Sequence, residues 1–177
     1  RETVSNLMHQ EITIGKDQGG RINKLQMLNF AQKSGMKIPS TIVTTRKEDV
    51  LNFAKIHSKM ISKSMDLNFF FSDKKRSKVV HGLTCEILPE DIQNFPDEFP
   101  LTMVQENIVK VVELRIFFLE NKNYASAIFS QNSGNTIQDY RNYDDDFPNR
   151  VLPFNLPTDF EEKINTFKQL SNLKTAS

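Results

Sequence analysis

The sequence predicts an α+β chain of two lobes, with antiparallel sheets and packed helices, and three observations predict it. Its segments follow the order helix, strand, helix, several strands, hairpin, helix, which departs from the regular alternation of a wound parallel sheet. Neither Gly-x-Gly-x-x-Gly nor Gly-x-x-x-x-Gly-Lys occurs, so a nucleotide site would have to be built from cationic side chains and strand backbone. A hydrophobic content of 38%, with 14 Phe in 177 residues, is enough to fill a sizeable core.

Taken in order, residues 1–20 show no sustained period and carry Gly15, Gly19 and Gly20, the pattern of a linker or the remnant of a preceding lobe. Leu25, Leu28 and Ala31 recur at helical spacing between Asn23, an N-cap, and Gly35, a C-terminal stop, which predicts a helix over 24–34. Ile38-Pro39 opens an extended run through Thr44. Thr45 and Glu48 have capping-box spacing, so a second helix should run to about His57 and bury Val50, Leu51 and Ala54. Met60-Ile61-Ser62-Lys63 reads as a short strand, and 68–71 and 78–88 read as further strands around a basic, solvated turn at 73–76. A helical turn is expected at Pro89-Glu90-Asp91-Ile92. The proline-bounded residues 96–100 mark a boundary between lobes.

The densest stretch is 104–150. Along 111–118 the side chains alternate, so Val112, Leu114, Ile116 and Phe118 share an apolar face while Glu113 and Arg115 share the other. After the turn Asn121-Lys122-Asn123 a second strand is expected over 124–131, followed by a polar segment with Asp139-Tyr140-Arg141-Asn142-Tyr143 and Pro148-Asn149-Arg150. The last clear element is a helix from Thr158, with Glu161 completing a capping box and Phe160, Ile164 and Phe167 on one face.

Composition excludes several classes. With 23 Lys and Arg against 22 Asp and Glu, net charge points to neither nucleic acid nor an anionic membrane. One cysteine, Cys85, rules out an internal disulfide, and with no long apolar span and no signal peptide the simplest expectation is a cytoplasmic protein. His9, His57 and His81 lack zinc-site spacing, and Cys85 reads as a packing residue more readily than as the partner of His81. Asp144-Asp145-Asp146 reads as a solvated turn before it reads as a cation site. Lys63 is either a snorkelling surface lysine or a single positive charge projected into a cleft, and Glu113 with Arg115 is either a surface ion pair or part of a site.

Asn23-Lys24-Leu25 before a helix, Ile38-Pro39 after it, Ile61-Ser62-Lys63, Val104-Gln105-Glu106-Asn107-Ile108, Glu113-Leu114-Arg115 and Asp139-Tyr140-Arg141-Asn142 together resemble, in order and spacing, the ATP-grasp ligases. Glu113-Leu114-Arg115-Ile116-Phe117-Phe118, Ser126-Ala127-Ile128-Phe129-Ser130-Gln131 and Pro148-Asn149-Arg150 extend the resemblance to the graspetide maturases, the group of the microviridin ligases, and among them to the grasp-with-spasm type. The resemblance covers residues 21–177. It implies an ATP-grasp central subdomain over 21–99 and the first part of the C-terminal subdomain over 100–177, a piece of a longer protein without the N-terminal lobe.

The resemblance also implies ATP and Mg2+ as cofactors. Lys24 and Lys63 would contact phosphates, Gln105, Glu106, Asn107 and Ile108 would form the adenine hinge, Glu113 would hold the ribose, and Asn142 would belong to the nucleotide set. Arg115, Arg141 and Arg150 would face phosphate or the reacting carboxylate, because a triphosphate and an acyl phosphate concentrate negative charge that aimed cations stabilise. Metal ligands are expected outside the chain, and 64–80, which has no glycine, departs from the family's phosphate lid. The implied partner is a precursor peptide with a leader, Asp or Glu acyl donors and Ser, Thr or Lys acceptors. Homodimer formation stays open. So do two other functions: ligation of an amino acid or amine to a protein or small carboxylate, and peptide binding without catalysis.

Overall fold

A computed structural model describes residues 23–63, 70–73, 78–81, 84–119, 121–131, 136–137, 145–173 and 175–176. It carries the expected mixture of helices and antiparallel sheets, in two compact units. The hinge unit takes its described residues from Ile38–Val111 and Ser130–Pro148; the hairpin unit takes its own from Arg1–Lys37, Val112–Phe129 and Asn149–Ser177.

In the hinge unit four strands, β1 (Thr41–Arg46), β2 (Met60–Lys63), β5 (Cys85–Ile87) and β6 (Glu98–Glu106), form an antiparallel sheet in the order β1-β6-β2-β5. Strands β3 (Phe70–Asp73) and β4 (Lys78–His81) pair separately. Helix α2 (Lys47–Ala54; α1 belongs to the hairpin unit) carries Val50 and Phe53 into the core, where they meet Met60, Ile87, Val104 and Ile92 of a 3-10 turn, Asp91–Asn94. Each such side chain contributes about 1.5–3 kcal/mol when fully buried.

Of the proline-bounded residues 96–100, the last three belong to β6, which the chain enters at Glu98 within the hinge unit. Pro100 is tolerated because it lies where the β1–β6 register shifts, between the Thr44–Thr102 and Arg46–Glu98 pairs, and outside the stretch 103–106 that β2 covers. The 99/100 division between subdomains thus falls inside a strand. Helix α2 is also capped differently from the Thr45–Glu48 box. Arg46, still extended, is the N-cap and makes no side-chain cap bond. Thr44 does the local work instead, accepting from the Arg46 N–H at 3.0 Å and donating to Asp49, whose carboxylate also takes the Arg46 guanidinium at 2.7 Å. Cys85, read as a packing residue, is exposed.

In the hairpin unit β7 (Glu113–Leu119) and β8 (Lys122–Phe129) form the expected hairpin, flanked by β10 (Thr175–Ala176) and β9 (Arg150–Phe154) in the order β10-β7-β8-β9. Helix α1 (Lys24–Lys33) packs against α3 (Thr158–Ser171). The α1 ends follow the sequence closely. Asn23 Oδ1 accepts from Leu25 and Gln26 N–H at 3.0 and 3.2 Å, and Gly35, at φ 80°, and Met36 return N–H groups to Gln32 and Ala31. At α3 the Thr158–Glu161 box does not form, since Pro157 is the N-cap and Thr158 is already helical. Asn172, left-handed at φ 53°, closes that helix. Lys168 ties α3 to the hairpin: its Nζ lies 5.3 Å from the Phe118 ring centroid and donates to Asn123 Oδ1 at 3.2 Å, and burial lowers its pKa.

Candidate functional site

Side chains alternate along a strand, so register sorts the hinge-unit residues onto two faces. Met60 stands opposite Glu106 and Ser62 opposite Val104, on the α2 side with the core. Ile61 stands opposite Gln105 and Lys63 opposite Met103, on the other side. The structure therefore places Lys63 and Gln105, two of the expected nucleotide contacts, on one face. Gln105 is only 2% exposed, and its amide is satisfied by donating to Thr41 Oγ1 at 2.9 Å. Lys63 ends β2 half-buried, as a lysine aimed along a packed surface would be.

Glu106 points the opposite way. Its Oε1 accepts from the Ser40 N–H at 3.1 Å, its own N–H donates to the Ser40 carbonyl at 3.0 Å, and its Oε2 lies 3.1 Å from His57 Nδ1. The next residue is held as well, with the Asn107 N–H donating to the Lys59 carbonyl at 2.8 Å. These two hinge N–H groups are thus committed to the fold rather than presented to a base. The chain then emerges at Ile108, which is 57% exposed. His57 and Ser40 were not among the residues expected at the hinge. A lone histidine just past a helix carries no motif, and only the fold reveals that α2 ends beside Glu106.

In the hairpin unit Glu113 and Arg115 do share a face, with Phe117 and with Ile128, Ser126 and Tyr124 opposite them on β8. Phe117 and Tyr124 rings lie 6.2 Å apart. Arg115 is exposed and Glu113 half-buried. Arg150 pairs with Phe129, which puts it on the opposite face, with its guanidinium 5.6 Å from the Phe129 ring centroid. Lys24 opens α1, half-buried, one residue after the Asn23 cap. Arg141 and Asn142 lie outside the described residues, as do 64–69 and 74–77 of the expected lid.

Two negative observations belong with this geometry. Among the described residues no three His, Cys, Asp or Glu side chains are grouped to hold a metal ion, and no helix is long and apolar enough to cross a membrane. A groove of about 450 Å³ runs between α2 and the 3-10 turn, lined by Leu51, Lys55, Pro89 and Ile92 among others, and it contains none of the expected site residues.

No protein-family model and no curated protein matches the sequence. Solved structures do. The macrocyclase MdnC bound with precursor peptide MdnA, from Microcystis aeruginosa MRC, is 26% identical with a TM-score of 0.69, over 86% of this chain and 46% of that one. A RiPP-associated ATP-grasp ligase of Chryseobacterium gregarium, in complex with ADP and a leader and core peptide, is also 26% identical, with a TM-score of 0.71 over 86% of this chain and 45% of that one. The fold is that of the ATP-grasp ligases. A third ATP-grasp neighbour, PsnB complexed with minimal precursor, Mg and ADP, is 14% identical, with a TM-score of 0.62 over 87% of this chain and 43% of that one. The resemblance to ATP-grasp peptide maturases expected from the sequence is thereby borne out, and the chain spans less than half the length of these ATP-grasp proteins.

Proposed function

We propose that this chain is the nucleotide-handling part of an ATP-dependent, ADP-forming carboxylate ligase that cross-links side chains of a ribosomally made precursor peptide. The observation that carries the reading is Lys63 and buried Gln105 on one sheet face, ahead of a hinge at 106–108 pinned by its own N–H groups, in an ATP-grasp fold.

In this reading Lys24 and Lys63 hold phosphates, and the hinge receives the adenine. Glu113 takes the ribose hydroxyls, with Asn142 in the same set. Arg115 and Arg141 face the charge that moves, and Arg150 orients the acceptor carboxylate. A carboxylate oxygen of the peptide attacks the γ-phosphorus of ATP, the bond to the β-phosphate oxygen breaks, and ADP leaves. The hydroxyl or amine of a Ser, Thr or Lys side chain then attacks the acyl carbon, phosphate departs and a proton is released, leaving an ester or amide. Phosphorylation turns a poor electrophile into a good one. No three His, Cys, Asp or Glu side chains among the described residues are grouped to hold a metal ion, so no step is derived through magnesium.

The test uses the full-length protein with ATP, magnesium and its precursor peptide, read by ADP release and by mass spectrometry. Expected is one water lost per cross-link, with Lys63→Ala and Arg115→Ala each lowering the rate by about a hundredfold or more, the scale of removing one transition-state contact. Water loss unaffected by both substitutions would overturn the site. ATP turnover that needs a free amine and no peptide would favour the amino-acid ligase.

A further inference from the structure

We infer that His57 is a positioning residue for the adenine hinge and acts through the Glu106 carboxylate. The inference rests on the nucleotide reading above and adds a residue that neither the motif nor the resemblance assigns. Because Glu106 lies on the α2 face of β6, its side chain is directed away from Lys63 and Gln105 and into a closed set of contacts. The Ser40 N–H donates to Oε1 and the Glu106 N–H returns to the Ser40 carbonyl, so β1's lead-in and β6's end clasp each other. His57 Nδ1 lies against Oε2, and the two side chains are 18% and 31% exposed. A donor on a partly shielded carboxylate makes a stronger bond than one between neutral groups.

His57 is itself fixed. Its N–H donates to the Phe53 carbonyl at 3.0 Å, and its ring lies 4.4 Å from the Phe53 ring, centroid to centroid. Phe53 is 7% exposed, within the core under the sheet. Two residues after His57, Lys59 accepts the Asn107 N–H. The connection between α2 and β2 therefore grips two successive hinge residues, one by side chain and one by backbone, immediately before Ile108 emerges. A flat base is read by backbone groups whose placement must hold to a fraction of an ångström, and a misplacement of about 1 Å from a remote change can cost a hundredfold. His57 supplies that placement from the side of the sheet away from Lys63.

The experiment measures dissociation constants of ADP and GDP, together with the melting temperature, on full-length wild type and three variants. His57→Phe keeps an aromatic ring against Phe53 and loses the donor, His57→Asn returns a donor near the Nδ1 position, and Glu106→Gln replaces the carboxylate. Wild type should prefer ADP. His57→Phe and Glu106→Gln should weaken ADP by about tenfold, the scale of losing an orienting partner behind a ligand-binding group, while GDP changes little. His57→Asn should recover most of the lost preference. A purely structural His57 would lower the melting temperature and leave the ADP-to-GDP ratio at the wild-type value in every folded variant, which overturns the inference. Wild type that binds neither nucleotide, or both equally, overturns the hinge reading itself, and the inference with it. Should His57→Phe fail to fold, Glu106→Gln decides by the same ratio.

Discussion

The two sheets differ in how they spend their side chains. The hinge sheet is packed from both sides at its centre: Met60, Met103, Val104 and Gln105 are all within 2% of full burial, and neighbours on one strand point to opposite faces. The hairpin sheet buries Phe118, Ala127 and Ile128 but leaves Phe117 at 41% and Tyr124 at 55% exposed, and every residue of β9 is exposed. Strands packed on both faces are held in place by their neighbours. On the face that Glu113 shares with Arg115 and Phe117, Arg115 is exposed while Glu113, opposite buried Ile128, is half-buried. The difference teaches that the hinge sheet is held rigid by burial on both faces, while the hairpin sheet keeps part of its surface open to solvent.

Substitutions can break that contrast. Phe53→Ala should cost the hinge unit about 3–5 kcal/mol in denaturant unfolding, because it empties a core position under His57. The matched change Phe117→Ala in the hairpin sheet should cost only about 1 kcal/mol, the worth of one half-exposed aromatic pair. Equal losses would erase the distinction. Gly35→Ala should destabilise by about 1 kcal/mol, since Gly35 is at φ 80° and its nearest neighbour, Lys163, leaves ordinary room for a methyl group, so the cost is in the backbone. The smallest effect sharpens the hinge side. Bonds from Arg46 and then Thr44 hold the Asp49 carboxyl below its usual range. A depressed carboxylate stabilises above its unfolded pKa, near 4, and loses that stabilisation as pH falls through the folded value. Asp49→Asn should therefore flatten the acid limb of the melting-temperature profile slightly and leave the neutral region alone.

Legibility followed the range of the interactions. Helix α1 could be read to within a residue because Asn23 and Gly35 act on neighbours two to five positions away. The two capping boxes could not, because each start is set by what precedes it: β1 stays extended through Arg46, and Pro157 takes the cap position before Thr158. Two prolines sit inside strands, Pro100 where the β1–β6 register shifts and Pro153 on β9, which has a single described neighbour. The pairing of Glu113 with Arg115 was readable from alternation alone, while the turning of Glu106 away from Lys63 required the partner strand's register. His57 was invisible for a simpler reason, since its partner lies almost fifty positions further along the chain.

Pro153 has one more effect. Strand β9 pairs only with β8 among the described strands, and Val151, Leu152 and Phe154 are all exposed along it. A row of free donors and acceptors beside such side chains is a template on which further chains can stack. Proline has no N–H to offer, so Pro153, the fourth of the strand's five residues, leaves a gap in any row of donors along β9 and works against such stacking.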